Sequence, residues 1–481
     1  MDARTEHRIV CGDQTIVAGL PERTRVLAPP PSLPPLADPA GAIREALAAP
    51  IGMEPLARYL RPGARVLIAF DDPAKPVYPM DGPDFRELAI PVLLEACQAA
   101  GVRPGDLRLI CANALHRKWT RTELASILGP KLPMTFLPSR LSCHDAEDPA
   151  NLVALGETER GFEVELNRAV VEADLVIYLG VPATPFNGGW KSIVVGLSTF
   201  RSIRYHHRPW PGAAGKSTQD HRRSSFHKLM HELGGVVERA LAPRGTRILQ
   251  VEGLLTARIP HRLAAVVAGR IPDAHHRLLD LMERQQVVEV QGQSDVVVYG
   301  VANRDHYSRH SVMNPILVRN AALSYHHGMF QNRPLVRAGG ILIFANPFRR
   351  QFSEVNHPSY VTLYEEILPR TRDPFEIWEL YAEDFAHRPE FVHKYRYAYG
   401  FHGAHPLILW GQGAAAFRHA GRIFAAGVED FEVARRLGFE PFRTVEEAVA
   451  EAERCLGAGC RIAYHPMPPT YYPRVMSSPP S

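Results

Sequence analysis

Four short stretches hold the residue types that proton transfer, anion binding and covalent attachment require. They are Asp71-Asp72-Pro73-Ala74-Lys75-Pro76, Asn113-Ala114-Leu115-His116-Arg117, Ser142-Cys143-His144-Asp145, and the run from Val181 to Ser192 that contains Asn187-Gly188-Gly189-Trp190-Lys191. An imidazole with a pKa of about 6.5 exchanges protons reversibly at neutral pH. A lysine amine binds anions when charged and acts as a nucleophile when neutral. Paired glycines let a ligand come close to the backbone. Any one of these residues alone reads as a loop residue or a helix cap. Together they form a site only if the fold brings the four stretches to one rim.

Other signals point less far. Gly212-Ala213-Ala214-Gly215-Lys216-Ser217-Thr218 looks like the end of a phosphate-binding P-loop, but the full pattern needs glycine where Trp210 stands. No buried strand precedes it. In the second glycine run, Trp190 separates Gly188-Gly189 from Lys191, so that run fails the pattern too. Nucleotide triphosphate hydrolysis is therefore disfavoured. Of the 22 histidines, His206-His207, His275-His276 and His326-His327 are adjacent pairs. Neighbouring side chains diverge on a helix or strand, so a pair is not by itself a chelate. The six cysteines form no CxxC pair, which argues against a zinc ribbon or dithiol site and fits a reducing cytoplasm.

The elements that would position these stretches alternate between strand and helix. Arg65–Phe70, Leu107–Cys111, Met134–Leu137 and Asp174–Leu179 read as strands. Residues 85–100 read as a helix stopped by Gly101, and Thr120 with Glu123 forms a capping box for a short helix ending near Gly129. In the second half, 295–301, 341–345, 406–410, 422–425 and 460–464 read as strands. Thr444 and Glu447 cap a helix that Gly457 ends. Strands that are apolar throughout and separated by helices predict parallel sheets covered on both faces. The expected fold is α/β, two doubly wound domains with a cleft between them, divided as 1–278 and 279–481. In such sheets ligands bind beyond the carboxyl ends of the strands, where the four stretches fall.

Composition sets the limits. The chain has 481 residues with 55 Lys plus Arg and 51 Asp plus Glu, a net charge of +4. That is too small to suggest nucleic-acid or membrane-surface binding. No apolar run is long enough for a membrane span and no signal peptide is read at the N-terminus. Proline is high, 42 residues or about 9% against a usual level of about 5%. Pro29-Pro30-Pro31-Ser32-Leu33-Pro34-Pro35 reads as an ordered surface strap, or alternatively as a ligand for a proline-binding partner. The tail from Pro466 to Ser481 reads as irregular.

Taken in order and spacing, these motifs resemble the nickel-pincer-dependent lactate racemase family. The opening 37–52 segment resembles the family's first helix and Pro-Ile-Gly turn. Asp72-Pro73-Ala74-Lys75-Pro76 is similar to its Asp-x-Thr-Arg-Pro motif, with Lys75 in place of arginine. Leu115-His116-Arg117 with Thr120 and Glu123 is similar to its first catalytic-histidine motif. Leu155-Gly156-Glu157-Thr158 through Asn167 and Phe186-Asn187-Gly188-Gly189-Trp190-Lys191 follow its next two segments. His207 lies sixteen residues beyond Lys191, the family's spacing from cofactor lysine to nickel-ligating histidine. The run from Leu437 to Gly457 resembles its closing helix.

The resemblance implies a pyridinium mononucleotide with two sulfur-containing arms, attached to Lys191 and holding nickel completed by His207. Asp72, Lys75, Gly188 and Gly189 would complete the cofactor site, and His116 would be the catalytic base. It implies racemisation or epimerisation of a 2-hydroxy acid by reversible hydride transfer, with cofactor-biosynthesis proteins as partners. An oxidoreductase on the same scaffold and a non-catalytic binder are the alternatives. Two departures stand out. The family's second catalytic histidine lies ten residues before the lysine, where this chain has Val181. Its Tyr-Gln-x-x-Lys substrate cluster is replaced by Ile316-Leu317-Val318-Arg319-Asn320, in which Arg319 offers the cation for a substrate carboxylate. These changes favour a larger, asymmetric substrate such as a sugar acid. His206, His326 or His327 is a candidate for the missing base.

Overall fold

The computed structural model describes residues 3–136, 140–209, 220–326 and 333–476. The P-loop-like run at 212–218, His327 and the last five residues lie outside these. The fold is mixed α/β, as the alternation predicted. The first large sheet has six strands in the order 263–269, 247–255, 175–180, 66–71, 107–112, 141–143. All neighbours are parallel except Arg247–Leu255 with Leu263–Gly269. Val66–Asp71 and Leu175–Gly180 are buried along their whole length because helices cover both faces of the sheet. Ile68 and Phe70 face one core and Leu67 and Ala69 the other.

The second sheet has eight strands and is built around Ser294–Ala302, which pairs in parallel with Val336–Ala345 and with Ile462–Tyr464. Its other edge is an N-terminal hairpin, Arg4–Gly12 with Gln14–Pro21. That hairpin joins the sheet through Cys11 and Gly12 opposite Val301 and Ala302. The chain thus starts in the second sheet and builds the first sheet afterwards, so residues 4–26 do not follow the expected 1–278 unit. The Pro29–Pro35 segment is the strap between them: Leu27 N–H donates to Tyr464 O at 2.9 Å and Leu36 N–H to Leu263 O at 2.8 Å. One face of each sheet contributes to a single shared core that includes Val176, Ile193, Val297, Leu342 and Trp410.

Three element readings need correction. Residues 134–136 belong to helix Lys131–Phe136, and the strand falls later, at Leu141–Cys143. Pro406–Trp410 lies in helix His405–Gln412, not in a strand. A short apolar run satisfies a buried helix as well as a buried strand, and a proline at the second helical position fits helix entry. The tail is not wholly irregular either, since Tyr472–Met476 pairs in parallel with Val287–Gln291. Among the described residues no helix is long and apolar enough to cross a membrane.

Candidate active site

Three of the four stretches meet at the carboxyl ends of the first sheet, under residues from the second half of the chain. After strand Val66–Asp71 the backbone turns sharply, and Arg86 holds that turn. Its guanidinium donates to the carbonyls of Asp71 (2.6 Å), Asp72 (2.9 Å) and Lys75 (2.5 Å) and grips the Asp84 carboxylate at 2.7 Å. Arg86 has no solvent exposure, and Asp84 also caps helix Phe85–Ala99. One buried ion pair therefore ties the helix start to the turn that carries the acids.

The two acids have separate tasks. Asp71 accepts from Lys75 Nζ (3.1 Å), Val181 N (2.9 Å) and Tyr178 Oη (2.9 Å). Asp72 accepts from His116 Nδ1 (2.7 Å) and Trp119 Nε1 (3.1 Å) on one oxygen, and from Ala74 N (3.3 Å) on the other. Burial pushes both carboxyls up. For Asp71 the adjoining Lys75, the Val181 N–H and Arg86 together outweigh it, and for Asp72 His116, Lys75 and the Trp119 N–H together do, so both are held below the ordinary carboxylate range. An ionised Asp72 fixes the proton of His116 on Nδ1 and leaves Nε2 for the cavity.

Lys191 stands on the short helix Trp190–Val194, with its ammonium 3.5 Å above the ring of Phe186. Burial, reinforced by nearby Lys75 and only partly opposed by Asp71, pushes its pKa well below the usual lysine value. The amine is thus biased to the neutral, nucleophilic form. His207 ends helix Phe200–His207, and its Nδ1 lies 2.5 Å from Nδ1 of His206. Burial drives the His207 pKa well down, so this imidazole is neutral and suited to ligation. Lys75, His116, Lys191 and His207 all line one cavity of about 90 Å³, with Asp71, Asp72 and Gly188 in its wall. A larger chamber of about 490 Å³ adjoins it across Phe186, Gly188 and Lys191.

Gly188 and Gly189 have positive φ angles, +86° and +57°. A Cβ on Gly188 would lie 2.5 Å from Glu252 Oε1, and one on Gly189 would lie 2.5 Å from the His275 ring. Glu252 is fully buried, accepts the Gly189 N–H at 2.9 Å and pairs with His275 at 3.0 Å. The glycines are therefore needed for close approach to this buried pair, a role the sequence did not reveal.

Two expected contributions are not brought into the cavity. His144 is fully buried, bonded to Ser198 O (2.9 Å) and to Asn167 (3.1 Å), and supports the core. Arg319 lies on helix Pro315–Asn320 against Trp410 and lines a different pocket. His206 is bonded to His207 as described, and the side chains of His326 and His327 are not among those described.

The second half instead supplies groups that were not anticipated: His306, Tyr307, Tyr325 and His405. His405 opens helix His405–Gln412, and its Nδ1 lies 2.5 Å from the Tyr360 hydroxyl. Its ring is 5.4 Å from that of His116 at an interplanar angle of 82°. Burial pushes the His405 pKa well down. Nδ1 is taken by Tyr360, so Nε2 is the nitrogen left for the cavity. Val181, where a second histidine was expected, is buried and gives only its N–H to Asp71. The one available signal was a histidine beginning an apolar run at 405, which reads as a core residue.

Comparison with known proteins follows the same division. Residues 11–217 match the model of the lactate racemase N-terminal domain. Lactate racemase from Lactiplantibacillus plantarum is 26% identical over 170 residues, 34% of this chain and 37% of that protein. Lactate racemase from Thermoanaerobacterium thermosaccharolyticum is 25% identical over 169 residues, with the same shares. The aligned part thus spans little more than a third of these relatives. The lactate racemase apoprotein structure from T. thermosaccharolyticum superposes with a TM-score of 0.68 over 98% of this chain and all of that one, at 16% identity. A protein structure from Thermotoga maritima superposes with a TM-score of 0.53 at 12% identity, over 89% and 98% of the two chains. These likenesses extend the common fold across the second half.

Proposed function

We propose that this chain, lactate racemase-like in the sequence of its first part and in its fold throughout, racemises or epimerises a 2-hydroxy acid. The reading relies on a nickel-pincer mononucleotide held by Lys191 and His207. It rests above all on one observation: a carboxylate-anchored imidazole, an amine biased to neutrality and a neutral imidazole converge on one cavity.

The residues fit such a group. Among the described residues no three His, Cys, Asp or Glu side chains are grouped to hold a metal. A metal at His207 would therefore take its remaining ligands from a bound molecule, and nickel(II) accepts a planar set of soft donors with one imidazole. The neutral Lys191 amine is suited to acylation. The chamber beyond Lys191 adds space for the remainder of a nucleotide, and Lys75 supplies a cation. When bound, this group supplies a hydride acceptor and donor.

The chain's own residues handle the proton. His116 Nε2 takes the substrate hydroxyl proton, and Asp72 stabilises the imidazolium that forms. Racemisation presents the hydroxyl in two orientations, so a second acceptor is needed. His405 Nε2 fills that role in place of the histidine lost at Val181. The Tyr360 hydroxyl can donate to or accept from Nδ1, and so supports either form of His405. Apolar neighbours such as Ile203, Ile408 and Leu409 exclude water from the reacting carbon. A second cavity of about 120 Å³ shares His306 and Tyr325 with the first and is lined by Tyr78, Thr184, Gln286 and Arg304. Its wall sets these polar groups among apolar ones, and the added room supports a substrate longer than lactate, such as a sugar acid.

The test is coexpression with cofactor-synthesis proteins. Expected results are added mass on the Lys191 peptide, about one nickel per chain, and, for one acid in a screen of hydroxy and sugar acids, inversion at C2 with a C2 deuterium label retained. Unmodified Lys191 without nickel under those conditions would sink the reading. Keto acid accumulating instead of the epimer would favour an oxidoreductase.

A further inference from the structure

Arg319 is buried to 1% exposure. Its guanidinium lies 3.6 Å over the Trp410 ring and 5.2 Å from that of Phe417. Of its five N–H donors, Nη1 reaches the Trp410 carbonyl at 2.8 Å, while Nε is buried with no acceptor. Among the described residues no carboxylate pairs with it. Gly413 makes room for the group, since a Cβ there would lie 2.7 Å from Nη1. Stacking on Trp410 offsets part of the cost of burying this charge, but an unpaired buried cation with an unused donor remains costly.

The guanidinium borders a pocket of about 380 Å³ that is separate from the reaction cavity. Arg372 stands on its rim, and Phe375, Phe417 and Leu437 give it apolar walls. Phe417 is 38% exposed, which is unusual for a ring of that size. The only carboxylate among the described lining residues, Asp373, faces the start of helix Pro374–His387, where it caps the N–H groups of Phe375 and Glu376. The lining therefore combines positive charge at the base and rim with apolar walls.

We propose that this pocket is a binding site for a carboxylate anion with a flat apolar body. The carboxylate would pair with Arg319 and Arg372, and the body would lie between Phe375 and Phe417. Arg319 thus serves a second ligand and not the reacting substrate. The helix His405–Gln412 carries Trp410 to this pocket and His405 to the reaction cavity, so an occupant would brace the element that holds His405.

The test is titration calorimetry of the full chain with benzoate, acetate, benzyl alcohol and inorganic phosphate. Benzoate is expected to bind with a Kd below about 1 mM, and more tightly than acetate or benzyl alcohol. Arg372 is exposed, so Arg372→Gln leaves the core untouched. This variant should weaken benzoate by about tenfold or more, and Ala414→Phe, which fills the pocket, should abolish binding. His116→Gln should leave benzoate binding unchanged, which separates this site from the reaction cavity. The proposal is overturned if benzoate does not bind, if both pocket variants bind it like the wild type, if His116→Gln removes binding, or if phosphate is preferred over benzoate.

Discussion

Replacing Asp72 by asparagine probes the proton-handling half of the site. The existing contacts determine how the amide will sit. His116 Nδ1–H and Trp119 Nε1–H both donate to one oxygen of Asp72, whereas Ala74 N–H donates to the other at the longer distance of 3.3 Å. The amide therefore keeps its carbonyl towards His116 and Trp119 and turns its NH2 to Ala74. The proton of His116 stays on Nδ1, and Nε2 still faces the cavity. What disappears is the negative charge that stabilises the imidazolium. A hydrogen bond to a charged partner contributes about 1.5–3 kcal/mol, so the proton-transfer step should slow about 10- to 150-fold.

Stability should fall by only about 1 kcal/mol, the contribution of the Ala74 contact. Asp72→Ala should cost more, because the N–H groups of His116, Trp119 and Ala74 all lose their acceptor, at about 1–3 kcal/mol for each that is buried. The pH dependence follows the same contacts. The folded Asp72 is held below its ordinary value, so its stabilisation is present above about pH 4 and is lost as pH falls through its folded pKa. Asparagine does not titrate, and the stability gap between wild type and Asp72→Asn should therefore close in acid. The assays are the rate of inversion at C2 on cofactor-loaded protein and urea unfolding at several pH values. Asp72→Asn activity within about twofold of wild type would refute the role of Asp72.

Arg86→Leu leaves the buried Asp84 carboxylate and three turn carbonyls without a partner, and should destabilise by about 3–5 kcal/mol in urea unfolding. Gly189→Ala puts a Cβ at positive φ against His275, and should cost about 2–4 kcal/mol. The double variant with His275→Ala should recover the packing part of that loss in the same measurement. Tyr360→Phe removes the anchor of His405 and should lower turnover about tenfold with little change in KM. Loss of KM alone would mean that Tyr360 shapes the pocket and does not tune His405.

The first half of the candidate site was readable because its residues follow strands that are mostly apolar. Val66–Asp71, Leu107–Ala112 and Leu175–Gly180 are such strands; Asp72 and His116 fall just beyond the first two, and Lys191 lies on the loop-and-helix run that follows the third. The second half was not readable, because its contribution comes from a helix. His405 opens an apolar run whose length fits strand or helix equally, and only the helix turns it towards His116. Arg319 shows the converse error. A cation aligned with a substrate lysine is placed by the face of its helix, and that face points to Trp410. Arg86 escaped notice because a charged residue in a first helical turn usually reads as solvated. Here the adjoining backbone bends round it.

The order in which the chain visits its sheets has a practical consequence for dissecting it. The first sheet is an insertion within the second, entered through Leu27–Leu36 and left through helix Ile271–Gln286. A fragment that begins near residue 279 would lack the hairpin Arg4–Pro21, whose Ile9 and Leu20 pack with Val296 and Val298. It would expose that core and an unpaired strand edge. The inserted piece is contiguous in sequence, yet it shares one core with the second sheet, so cutting it out would expose Val176 and Ile193 on one part and Val297, Leu342 and Trp410 on the other.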